Sequence, residues 1–67
     1  MKIFGERLRE LRTEAKLSAQ QLAEEIKTSD ASIIRWENNL INPSIEQLKK
    51  IAIYFKVSAD YLIGLED

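Results

Sequence analysis

Apolar residues recur along this chain at helical spacing. Phe4, Leu8, Leu11 and Ala15 fall four, three and four residues apart, which sets one apolar stripe on a first helix over about residues 3 to 15. Arg7 and Arg12 flank that stripe. Three later segments begin alike: "LSAQQL" from Leu17, "PSIEQL" from Pro43 and "VSADYL" from Val57. Each reads as a helix start. Ser18 and Ser44 can cap a backbone N–H, and Gln21 and Gln47, three positions on, can reach back to complete a capping box. Leu17 with Leu22, and Val57 with Leu62, stand at staple positions that fix how the chain enters each helix. A fourth start, Ser29 before "DASIIRW", has no box, but it places Asp30 in the first turn, where the helix dipole favours a carboxylate by about 0.3 to 1 kcal/mol. The expectation is five helices, at about residues 3 to 15, 18 to 26, 29 to 38, 44 to 56 and 58 to 64. No segment alternates with period two between turn signals, so the fold class is all-α. One proline, Pro43, and two glycines, Gly5 and Gly64, fit helices joined by short links.

Only "KT" separates the second helix from the third. Both carry apolar stripes (Leu22, Ala23 and Ile26; Ile33 and Trp36), so the short link makes them cross steeply, as in a helix-turn-helix over about residues 18 to 38. At 67 residues the chain is a single domain, 1–67, near the size at which one core barely supports folding. Cysteine and histidine are both absent, which excludes disulfides, thiolate or imidazole catalysis and the usual zinc sites, and implies no cofactor. Glu24, Glu25 and the acids of the first helix have no nucleophile or Gly-rich loop beside them and read as solvated faces, so an enzyme is the least supported class. Apolar runs are short and "MKIFGERLRE" is charged from the start, so neither a membrane span nor a signal peptide is expected, and a cytoplasmic setting fits. The net charge of -1 and a pI near 5.4 give no global pull on polyanions. Any contact with nucleic acid must then rest on local charge and helix ends.

With these features placed, "LSAQQLAEEIKTSDASIIRWENNLINPSIEQLKKIAIYFKVSADYLIG" resembles the Xre-type helix-turn-helix family, the DNA-binding domains of lambda-like phage repressors and their bacterial relatives. The resemblance covers nearly the whole chain and is carried by "QLAEEI", "SIIRWEN", "NPSIEQLKKIA" and "VSADYLIG" in the family's order and spacing. It implies a compact, lambda repressor-like five-helix bundle whose third helix enters the major groove of double-stranded DNA while the second crosses the backbone. It further implies that Ala23 is the small residue where helices two and three meet, that Ile33 and Trp36 anchor the third helix in the core, and that Arg12 pairs with Glu37.

Outward residues of the third helix are then Asp30, Ala31, Ile34, Arg35 and Asn38. Asp30, Ala31, Ile34 and Arg35 are the candidates for base contact. Arg35 suits guanine O6 and N7, with a phosphate contact or plain solvation as its alternatives; Ala31 and Ile34 suit thymine methyl groups. Phosphate candidates are Ser18, Lys27, Thr28, Ser29, Ser32, Asn38, Asn39 and Asn42, hydroxyls, amides and one cation near helix ends. The chain departs from the family's pattern at several of these places. Ala19 stands where many members have Gln, and Lys27 where many have Gly, so Lys27 must adopt a left-handed conformation or reshape the turn. Asn39, Leu40 and Ile41 replace a Gly followed by a cation; Asn39 tolerates left-handed geometry, but Leu40 and Ile41 cannot hold phosphates. Fewer charged contacts imply modest affinity and a shallow salt dependence.

The leading expectation is a transcriptional regulator, a repressor that binds a palindromic operator as a homodimer. Ile53, Tyr61, Ile63 and Leu65 are the candidates for its dimer surface. "LIGLED" ends where larger members continue into a regulatory or oligomerising region, which would take any inducer or regulatory protein partner. The rival is a protein-interaction module that keeps the fold with weak or no DNA binding; Asp30, Leu40, Ile41 and the acidic pI favour it.

Overall fold

The computed structural model describes residues 2–67. Five helices follow one another, α1 Lys2–Glu14, α2 Ala19–Ile26, α3 Asp30–Glu37, α4 Ile45–Phe55 and α5 Ala59–Ile63, with no strand among the described residues. The ranges read from the sequence for α2 to α5 are wider by one or two residues because they take in the caps, whereas the expected 3 to 15 begins and ends one residue later than α1. Ser18, Ser29, Ser44 and Ser58 stand at the N-caps, and each side chain accepts the backbone N–H three residues on, from Gln21, Ser32, Gln47 and Tyr61. Both capping boxes close, with Gln21 Oε1 accepting from the Ser18 N–H at 2.8 Å and Gln47 Oε1 from the Ser44 N–H at 3.0 Å. A serine cap contributes about 1 kcal/mol, so four of them matter in a chain this short.

All five described helices also end alike. The closing residue has positive φ: Lys16 (60°), Lys27 (59°), Asn39 (61°), Lys56 (57°) and Gly64 (89°). The next N–H then donates to the carbonyl five residues back: Leu17 to Arg12 at 3.1 Å, Thr28 to Ala23 at 2.8 Å, Leu40 to Arg35 at 2.9 Å, Val57 to Ala52 at 3.0 Å and Leu65 to Asp60 at 2.8 Å. This is the Schellman closure, normally built on glycine. Here lysine fills it three times. Lys27 therefore takes the left-handed option that its place in the turn required. A residue with a Cβ is disfavoured there by roughly 1 to 2 kcal/mol, while glycine costs about 0.5 to 1 kcal/mol more in chain entropy. Lys27→Gly should accordingly gain roughly 0.5 to 1 kcal/mol and raise Tm by several degrees. A thermal melt in which Lys27→Gly unfolds below the parent would contradict this account of the turn.

Phe4, Leu8, Leu22, Ala23, Ile26, Ile33, Trp36, Ile51 and Leu62 form the buried core. Leu11, Leu17, Leu48, Phe55, Val57 and Tyr61 pack against it from its margin. Ala15 departs from the expected stripe and is exposed, because α1 stops at Glu14 and Lys16 turns the chain away. Trp36 is 1% exposed and meets Phe4 edge to face, with ring centroids 6.5 Å apart, so it is a core anchor. The α3 helix lies against both α2 and α1, and α5 closes the bundle against α1 and α4. Gly5 sets the approach of α1 to the end of α3: a Cβ on it would lie 2.7 Å from the Trp36 carbonyl oxygen and 2.8 Å from that of Glu37.

Candidate nucleic-acid interface

The eight residues of α3 divide by burial. Ile33, Trp36 and Glu37 point inward, and Asp30, Ile34 and Arg35 are exposed, with Ala31 and Ser32 half-buried. Ala31, Ile34 and Asn38 fall three and four residues apart, so they share one face, with Arg35 beside Ile34. Ile34 is 48% exposed, an apolar side chain left in water on an otherwise polar face.

At the start of α3, Ser29 Oγ accepts the Ser32 N–H at 3.2 Å and lies 3.0 Å from Ser32 Oγ. Asp30 Oδ1 turns back to accept the Ala31 N–H at 2.9 Å, so part of its charge is spent on the helix start. Ser18 Oγ accepts the Gln21 N–H at 3.0 Å, which leaves its own hydroxyl proton to donate. Lys27 is exposed and Thr28 half-buried in the turn between α2 and α3. Beyond α3, Asn38, Asn39 and Asn42 are exposed, as are Leu40 and Ile41. The structure thus gathers Lys27, Thr28, Ser29 and Ser32 at one end of α3 and Asn38 and Asn39 at the other.

A charged clamp fixes that second end. Glu37 is a buried acid whose Oε2 accepts Arg12 Nε at 2.6 Å and whose Oε1 accepts Arg12 Nη2 at 3.0 Å. Arg12 Nη1 also donates to the Leu17 carbonyl at 2.9 Å, so one guanidinium ties together α1, the α1–α2 link and α3. The hydrogen bond to Glu37 raises the Arg12 pKa above its ordinary value; burial opposes this and the charge of Glu37 adds to it. The pairing implied for Arg12 and Glu37 is therefore made. Sequence reading missed a third member, Arg9, which donates from Nε to Glu37 Oε1 at 3.3 Å and from Nη2 to Asn38 Oδ1 at 3.2 Å. Its position three residues before Arg12, on the same face of α1, was the available signal.

The dimer candidates differ from one another. Ile53 is 66% exposed and borders a shallow hollow lined also by Ile26, Lys50 and Tyr54, and Leu65 is 72% exposed. Ile63 is half-buried. Tyr61 packs against the core and carries the Arg7 guanidinium 4.2 Å above its ring. Arg7 donates in addition to the carbonyls of Tyr61 and Glu66, which fastens the C-terminal segment to α1.

With this geometry in place, comparison with known proteins gives the family. A family profile described as a helix-turn-helix domain matches residues 5–67. The chain belongs to the helix-turn-helix family. This helix-turn-helix domain is 39% identical over 64 residues to the HTH-type transcriptional activator BcrR of Enterococcus faecalis, covering 96% of this chain and 31% of that protein. It is 37% identical to the uncharacterized HTH-type transcriptional regulator YobD of Bacillus subtilis (strain 168), covering 97% of this chain and 58% of YobD. The domain thus spans about a third of BcrR and somewhat more than half of YobD. Among solved structures it is similar to the P22 c2 repressor protein in complex with synthetic operator 9T, at 29% identity and a TM-score of 0.86, over 92% of this chain and 94% of that one. The solution structure of the DNA-binding domain of the P22 c2 repressor matches with a TM-score of 0.83 at 30% identity, over 91% of this chain and 80% of that one. No helix among the described residues is long and apolar enough to cross a membrane.

Proposed function

We propose that this domain is the DNA-binding module of a transcriptional regulator, a repressor that occupies a two-fold symmetric operator as a dimer. The observation that carries the reading is the exposed face of α3, Ala31, Ile34, Arg35 and Asn38, set on a helix whose opposite face is locked by Ile33, Trp36 and Glu37. On this reading α3 enters the major groove and α2 crosses the backbone. Arg35 offers its fork to guanine, and Ile34 and Ala31 offer methyl groups to thymine. Ser18, Thr28, Ser29 and Ser32 with Lys27 hold phosphates at helix starts, and Asn38, Asn39 and Asn42 hold them beyond the end of α3. The match to a repressor with operator DNA supports the reading. One relative is named an activator, so the repressor sign is the part of the reading that the relatives support least.

Dimer geometry follows from size. Successive major grooves on one side of the duplex lie about 34 Å apart. The domain measures 27 × 23 × 21 Å, each extent shorter than that spacing, so two copies can sit side by side on successive grooves. Ile53 and Leu65 have the exposed apolar surface for such a contact; Tyr61 and Ile63, being partly covered, contribute less.

Selection of bound sequences from random duplexes tests the reading, with an enriched palindrome of half-sites one turn apart as the expected result. A second reading has its own support in Leu40 (70% exposed), Ile41 (45%) and Ile45 (86%), a run of bare apolar side chains suited to a protein partner. Failure to enrich any palindrome at low salt would favour that interaction module. In the same selection Asp30→Ala should change which sequences are enriched, since the Asp30 carboxylate can accept from cytosine N4 but repels phosphate. Uniformly tighter binding to every duplex would instead make Asp30 a brake on affinity.

A further inference from the structure

We infer that Arg9, a residue of α1, is a phosphate ligand of the DNA-binding face, aimed by Glu37 and Asn38. The inference rests on the proposed function and adds to it a contact from outside the helix-turn-helix. Asn38 closes the exposed stripe that runs from Ala31 through Ile34, and Arg9 Nη2 donates to Asn38 Oδ1 at 3.2 Å. The Arg9 guanidinium therefore borders the end of the reading stripe. Its side chain is 56% exposed but is held at two points, Glu37 Oε1 and Asn38 Oδ1. Those bonds use two of the five N–H donors of a guanidinium and leave three on a side chain that is more than half exposed, in a planar group that matches phosphate oxygens.

Charge balance supports a ligand outside the protein. Arg12 already binds both oxygens of Glu37, at 2.6 and 3.0 Å, so Glu37 does not need a second cation. Arg9, Arg12 and Glu37 together leave one positive charge in excess, and that charge sits on the exposed Arg9. An ion pair this exposed contributes little to stability. In a chain of net charge -1 with Leu40 and Ile41 at the α3–α4 link, a cation fixed at the end of α3 supplies what those apolar residues cannot.

The test measures affinity for the selected operator duplex against salt concentration for the full chain, Arg9→Gln and Arg9→Lys, with a thermal melt of each. Loss of one phosphate contact should weaken Arg9→Gln on all duplexes alike and flatten its log K against log salt slope by about 0.9, with Tm close to the parent. Arg9→Lys should restore the slope. An Arg9→Gln slope equal to that of a DNA-binding parent overturns the assignment of Arg9 alone, as does an affinity loss that only follows a loss of folding. Absence of DNA binding by the parent overturns the proposed function and this inference together.

Discussion

Glu37→Ala is expected to leave this domain largely unfolded. The carboxylate is buried, with its side chain 4% exposed, and it neutralises Arg12, whose own side chain is 18% exposed. Removing the acid leaves that largely covered guanidinium with the Leu17 carbonyl but without its counter-charge, and breaking a buried pair from one side costs about 3 to 5 kcal/mol. A domain of this length has a total stability of only about 3 to 10 kcal/mol, so the loss is of the same order as the whole. Arg9 cannot compensate, because its own contact with Glu37 disappears with the carboxylate. Circular dichroism with a urea titration checks the outcome, and equal midpoints for Glu37→Ala and the parent would sink it. The paired replacement Arg12→Met with Glu37→Leu should recover most of the loss, since it removes both charges together. Arg12 adds no pH dependence near neutrality: its raised pKa gives a contribution that is complete below the unfolded value and lost only at strongly alkaline pH.

Helix starts were legible in the sequence because serine before a helical run does one local job: the expected caps Ser18 and Ser44 and the expected start at Ser29 make their bonds, and Ser58 in "VSADYL" does the same. Helix ends were less so. The family resemblance pointed to a left-handed residue at Asn39 and to a left-handed or reshaped turn at Lys27, but nothing marked the closures at Lys16 and Lys56, since lysine is common on any helix surface. Ala15 shows the same limit, since its spacing continued the stripe past the point where the chain turns. The division of α3 into inner and outer faces was legible because Ile33 and Trp36 fix the helix rotation, and every other position follows from 3.6 residues per turn. Long-range polar contacts were legible only where the family resemblance implied them, as for Arg12 with Glu37. Arg9 meets Asn38 across 29 positions, and its place one turn before Arg12 hints at Glu37 as a partner but not at Asn38.

Gly5 is the clearest case of such a hidden constraint, and Gly5→Ala is expected to be the second severe loss. From sequence alone Gly5 is a weak spot in a helix, and alanine there would gain about 1 kcal/mol of helix propensity. In the fold it is where α1 presses on the end of α3. An added methyl would sit 2.6 Å from Asn39 Oδ1, 2.7 Å from the Trp36 oxygen and 2.8 Å from the Glu37 oxygen. Asn39 Oδ1 belongs to an exposed side chain and can move away, but the two carbonyl oxygens are backbone of α3 and cannot. Relief requires α1 and α3 to part, which loosens the Phe4–Trp36 contact and stretches both bonds between Arg12 and Glu37. Overpacking of this kind costs typically about 1 to 3 kcal/mol, and the strained clamp adds to it, so the net change is destabilising despite the better helix former. A Tm at or above that of the parent would mean that α1 can shift without disturbing α3. The same shift would move Arg9 away from Asn38, so Gly5→Ala protein that remains folded should also bind operator more weakly, with a flatter salt dependence.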